Sequence, residues 1–174
     1  MVTPSAAPAT GGKKVTLASA GLTIILAIVV GLNLHEGGRR YVPYWDALGH
    51  VWTVCNGITG KDVVPGRHYT DAECETLEVA YVRKMLTNMG HCATGTFTFT
   101  EIKAWGDFAY NVGTANFCNS TAVRLLNAGE NRRACDEIPK WRFINKKDCA
   151  IKANKCGGIV TRRAWEYGMC VGDG

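Results

Sequence analysis

From Val15 to Leu34 the chain runs VTLASAGLTIILAIVVGLNL with no charged residue, bounded by Lys13-Lys14 in front and by Glu36 just behind. At about 1.5 Å per residue this stretch reaches roughly 30 Å, the thickness of a bilayer core, so the pattern predicts a membrane-spanning helix. The two lysines keep the N-terminus cytoplasmic and export the remainder of the chain. A cleaved signal fits less well, because Ala18-Ser19-Ala20 precedes the most apolar part, Ile24 to Val30, and Gly31-Leu32-Asn33-Leu34 is a poor cleavage site. A buried core helix is the other alternative. Nine of the twenty positions are small or polar (Thr16, Ala18, Ser19, Ala20, Gly21, Thr23, Ala27, Gly31 and Asn33), which makes the anchor a weak one, able to leave the bilayer.

Beyond the anchor the periodicity changes twice. Tyr41 to Val64 is aromatic and β-branched, broken by Asp46, Gly49, Asn56-Gly57 and Gly60, and predicts a small sheet of two or three strands. Helical spacing comes next. Thr70-Asp71-Ala72-Glu73 is a capping box that opens a helix through Met89, with Cys74, Leu77, Tyr81 and Met85 on one face. A second helix begins at Thr100 and carries Ile102, Trp105, Phe108, Ala109 and Val112 toward Gly113; Ser120 to Asn127 and Ile159 to Tyr167 predict two more. The expectation is an α+β, mainly helical domain over residues 35–174, preceded by a disordered cytoplasmic tail at 1–14 and the anchor at 15–34.

Composition agrees with export. All eight cysteines (Cys55, Cys74, Cys92, Cys118, Cys135, Cys149, Cys156 and Cys170) lie past the anchor, an even number that predicts disulfides without fixing their connectivity. Zinc is the weaker alternative, since no Cys-x-x-Cys occurs and the four histidines are scattered. The formal net charge of +5 suits an anionic partner such as a bacterial envelope but decides little.

Glu36, Asp46 and Thr53 place two carboxyls and a hydroxyl at the entry to the domain. Glycoside hydrolysis needs one carboxyl protonated for the leaving oxygen and one ionised to stabilise positive charge or activate water. Spacing alone is weak evidence for it. The ordered set Glu36-Gly37-Gly38-Arg39, Tyr44-Trp45-Asp46, Val51-Trp52-Thr53-Val54-Cys55, Phe108-Ala109-Tyr110-Asn111-Val112-Gly113, Cys118-Asn119-Ser120-Thr121 and Gly158-Ile159-Val160-Thr161-Arg162-Arg163 resembles the phage-type lysozymes, glycoside hydrolase family 24. With the anchor in front, the chain resembles the signal-anchor-release endolysins of bacteriophages.

That resemblance implies a two-lobed lysozyme-like fold and a cofactor-free muramidase acting on peptidoglycan glycan strands. It implies Glu36 as general acid, Asp46 as second carboxylate and Thr53 as the hydroxyl that helps hold the attacking water. It further implies a monomer without nucleic-acid partners, held in the host inner membrane through residues 15–34, N-terminus inside and domain outside, and then released to the periplasm. The chain departs from the family pattern by one extra residue between Glu36 and Asp46, near Arg39-Arg40, and another between Asp46 and Thr53, near His50. An extra strand residue turns the next side chain to the opposite face unless a bulge absorbs it. The family's His after the turn Gly is replaced in Gly57-Ile58-Thr59, so its role does not transfer. Arg39 reads as a surface charge, or as a partner that positions Glu36 or ties the lobes. Trp141, Arg162 and Arg163 read as fold residues. The alternative activities are a lytic transglycosylase using Glu36 alone and a non-enzymatic, membrane-tethered peptidoglycan-binding protein.

Overall fold

A computed structural model describes residues 13–35, 38–47, 49–61 and 63–172. The expected tail falls almost wholly outside them. Helix α1 (Leu22–His35) leads into an antiparallel sheet of β1 (Arg40–Asp46), β2 (Val51–Cys55) and β3 (Ile58–Thr59), in that order. The long α2 (Asp71–Cys92) then enters a helical lobe of α3 (Phe99–Val112), α4 (Thr114–Cys118), α5 (Thr121–Asn127) and α6 (Asn131–Cys135). A second hairpin, β4 (Phe143–Ile144) and β5 (Lys147–Asp148), precedes the closing α7 (Gly158–Val171).

Both long helices in the middle of the chain begin at capping boxes. Thr70 and Glu73 cap α2 as expected, and Thr98 with Glu101 caps α3, which starts one residue before Thr100. The buried stripe of α2 is Cys74, Glu78, Val82, Met85, Leu86 and Met89, rotated from the predicted face so that Tyr81 is exposed and a carboxylate is inside. Cys74 belongs to a small core with Val54, Cys55, Ile58, Val63 and Tyr69, whereas Val82 to Met89 belong to the main core. One helix thus serves both lobes.

The apolar N-terminal segment is part of the main core. Leu17, Ile25, Ile28, Val29 and Leu32 are buried there, and α1 packs on α2 and α3. Two glycines make the room. A Cβ on Gly106 would lie 2.7 Å from Ile28 Cδ1, and one on Gly90 would lie 2.9 Å from Ala18 Cβ and 3.1 Å from the Ala18 nitrogen. Helix α1 has only 14 residues, about 21 Å of rise, and no helix among the described residues is long and apolar enough to cross a membrane.

All eight cysteines pair, as Cys55–Cys74, Cys92–Cys118, Cys135–Cys170 and Cys149–Cys156. These links tie the sheet to α2, α2 to α4, and α6 to α7, and they close the segment after β5. Reading Trp141, Arg162 and Arg163 as fold residues agrees with the packing of α3 on α7. Arg162 Nε donates to Asp107 Oδ1 at 2.8 Å, and Arg163 donates to Glu166, to Asn111 and, through Nε at 3.1 Å, to the Trp141 carbonyl. The ring of Trp141 meets Phe108 edge-on at 5.6 Å.

Glu166 is fully buried, and that burial pushes its carboxyl up to about 9 against the pull of Arg163, with a hydrogen bond to Asp107 also favouring the proton. The folded chain therefore holds this proton more tightly than the unfolded chain. The resulting stability is complete below about pH 4.5 and is lost as pH rises through about 9. Calorimetry across this window should show Tm falling with pH in the native protein and a flatter profile in Glu166→Gln; equal slopes would contradict the assignment.

Candidate active site

The β1–β2 ladder sets the geometry. Tyr44 faces Thr53, Trp45 faces Trp52 and Asp46 faces Val51, so Asp46 and Thr53 are diagonal neighbours on one face of the hairpin. Diagonal pairs on such a ladder lie about 7 Å apart. The opposite face carries Trp45 and Trp52, edge-on at 5.7 Å and both exposed.

The ladder is irregular on one side of this face and closes in a loop on the other. Between the pairs Arg40–Cys55 and Tyr44–Thr53, β1 has Tyr41, Val42 and Pro43 where β2 has only Val54. An excess of two on one strand is a bulge that preserves the alternation of faces. In the loop between Asp46 and Val51, His50 adopts a left-handed conformation with φ of 51°. The same loop brings Gly49 over the Asp46 carboxylate, so that a Cβ there would lie 3.1 Å from Asp46 Oδ2.

Thr53 is 3% exposed, and its Oγ1 has no hydrogen-bond partner among the described residues. A buried hydroxyl without a partner costs about 1–3 kcal/mol, a cost typically tolerated where a ligand or water is to be held. Glu36 lies outside the described residues. The chain on either side of it is fastened to one buried carboxylate, Glu78, which is 1% exposed. On the near side Asn56 Nδ2 donates to both Asn33 of α1 and, at 2.9 Å, Glu78 Oε1. On the far side Arg39 Nη2 donates to Glu78 Oε2 at 2.7 Å, Nε bridges both Glu78 oxygens at 3.2 Å, and Nη1 takes Asp71. Arg39 in turn holds the Asp71 carboxyl below its ordinary range.

Among the described residues the guanidinium of Arg39 is held by two carboxylates of α2, Glu78 and Asp71. Tyr110 of α3 donates to the Asn56 carbonyl, so the turn between β2 and β3 is fastened to the helical lobe as well. Sequence patterns did not single out Glu78 and Asn56. A signal was present, because Glu78 falls on the helical repeat through Cys74, Val82 and Met85, where a carboxylate must find partners.

A three-stranded sheet lobe, a helical lobe and a long helix shared between them define a lysozyme-like glycoside hydrolase. The phage lysozyme family model matches residues 34–166, and the chain belongs to that family. A SAR-endolysin of Enterobacteria phage PA-2 is 33% identical over 167 residues, covering 95% of this chain and 92% of its own length. One from Bacteriophage PS34 is 34% identical, covering 94% and 95%. Among solved structures, a variant of P22 lysozyme superposes with a TM-score of 0.68 at 23% identity, over 86% of this chain and 95% of its own. The active form of the P1 phage endolysin Lyz gives 0.66 at 20% identity, over 88% and 95%. The protein is a phage endolysin of lysozyme type.

Removing the charge at the hub should be costly, because Arg39 loses its buried ionic partner and a donating NH2 replaces one of the two acceptor oxygens that Arg39 and Asn56 share. Glu78→Gln is expected to lower the unfolding free energy by about 3 kcal/mol, the lower end for breaking a buried pair, since Asp71 still holds Arg39. Urea titration measures this; a change below about 0.5 kcal/mol would mean that Glu78 fastens nothing.

Proposed function

We propose that this endolysin is a muramidase that hydrolyses the β-1,4 bond between N-acetylmuramic acid and N-acetylglucosamine. Glu36 donates the proton to the leaving oxygen, Asp46 is the second carboxylate and Thr53 helps to hold the attacking water. The observation that carries this reading is the buried, unpartnered Thr53 hydroxyl on the same ladder face as Asp46. Loss of a positioned general acid typically costs about 10² to 10⁴ in rate. Glu36→Gln should therefore abolish clearing in zymograms of purified peptidoglycan while keeping the fold. Asp46→Asn should be nearly as severe and Thr53→Ala intermediate. Wild-type clearing by folded Glu36→Gln would refute the assignment, and anhydro product ends would indicate a lytic transglycosylase instead.

We further propose that residues 15–34 first span the inner membrane, N-terminus inside, and that the monomeric domain works in the periplasm after release. The support is that the segment has two alternative apolar surroundings. Ile25, Ile28, Val29 and Leu32 gain about 1.5–3 kcal/mol each on leaving water, whether for the main core or for lipid, so packing contacts decide between the two. Gly21 and Thr23 are exposed in the packed form, with nothing within 4 Å of a Cβ on Gly21. Leucine at these two positions should favour insertion without disturbing the core. Gly90→Ala should instead impede docking of the segment at Ala18. Both changes are expected to retain protein in the membrane fraction and delay lysis; unchanged lysis timing in both would exclude release as the switch.

A further inference from the structure

We propose that the hairpin of residues 142–156 is a docking surface for an anionic phospholipid bilayer, independent of the catalytic assignment. The segment reads RFINKKDCAIKANKC and contains Arg142, Lys146, Lys147, Lys152 and Lys155 against Asp148 alone, a local charge of +4 out of the chain's +5. Arg142 is spent on Asp148, with Nε donating at 2.9 Å and Nη2 at 3.1 Å. The four lysines are exposed, and none forms an ion pair among the described residues. A surface that gathers nearly all of a protein's net charge on unpaired amines is suited to a polyanion.

Apolar side chains narrow the choice of polyanion. Phe143, Ile144 and Ile151 are 57%, 42% and 55% exposed in the same segment. A cell-wall glycan or stem peptide supplies carboxylates but no apolar phase, whereas a bilayer interface supplies phosphate and acyl chain together. The scaffold is also rigid before any partner arrives. Asn145 and Lys146 at its tip are both left-handed, with φ of 48° and 65°, the pattern of a tight two-residue turn. Asn154 Nδ2 donates to the Asp148 carbonyl at 2.7 Å, and Cys149–Cys156 closes the base. Tip-first approach places Ile144 and Phe143 behind the turn, with Lys146 and Lys147 beside them at headgroup level.

The test uses the full-length, oxidised protein in sedimentation with vesicles of phosphatidylcholine, alone or with about one third phosphatidylglycerol. Binding to the anionic vesicles should be at least about tenfold tighter and should weaken steeply with salt. Changing Lys146, Lys147, Lys152 and Lys155 together to Gln should lower it about tenfold or more. Phe143→Ser with Ile151→Ser should lower it at constant charge. All six positions are exposed, so unchanged Tm and circular dichroism should accompany the loss. Equal vesicle binding by wild type and the lysine variant would overturn the proposal and assign binding to the N-terminal segment. Loss in the lysine variant without loss in the Phe143 and Ile151 variant would also overturn it, as would a stronger lysine-dependent preference for sedimented peptidoglycan.

Discussion

The structure depends on a single apolar segment having been taken into the core. Residues 15–34 are hydrophobic enough to enter a bilayer, yet here their helix packs on both α2 and α3. The fit is specific: Gly90 and Gly106 have no side chains where Ala18 and Ile28 arrive. Packed interiors approach crystal density, so removing this segment would leave a void beside Gly90 of α2 and Gly106 of α3. Its presence also shields the charged cluster, because Gly31 lies against Trp165 and Asp107.

From that docking the site is built by short links. Helix α1 delivers Asn33 to Asn56, Asn56 shares Glu78 with Arg39, and Arg39 begins the strand that ends in Asp46. A buried carboxylate with two donors is stable only while both are present, so the Glu78 hub makes the sheet lobe, α2 and the end of α1 interdependent. Tyr110 extends the same linkage to α3 through the Asn56 carbonyl. The chain on both sides of Glu36 is thereby fixed to one point on the longest helix. The N-terminal segment and the sheet lobe are thus physically connected through that point.

The electrostatic design differs between the lobes. In the helical lobe two arginines and two carboxylates are buried together, and Glu166 responds to burial by holding its proton. Next to that cluster, just after Trp141, the 142–156 hairpin leaves its lysines and apolar residues exposed. Charge is neutralised where it fixes helices and left unpaired where a partner can reach it.

Local chemistry was legible in the sequence. Capping boxes, the β-branched run broken by Asn56-Gly57, and the periodicity around Trp105 depend on neighbours a few residues away, and the elements they predicted are present. The family was legible because an ordered set of short motifs survives as a pattern. The sequence was silent wherever a residue's meaning depends on a distant partner. Tyr81 and Glu78 exchanged places on α2 because a carboxylate can be buried once Arg39 and Asn56 reach it from another lobe. That Asp46 shares a ladder face with Thr53 follows from the register between β1 and β2, with its irregularity between Arg40 and Tyr44, and only strand pairing decides that. Apolarity alone determined that residues 15–34 would leave water; whether they did so into lipid or into protein was a matter of complementary shape, which two glycines on other helices supply.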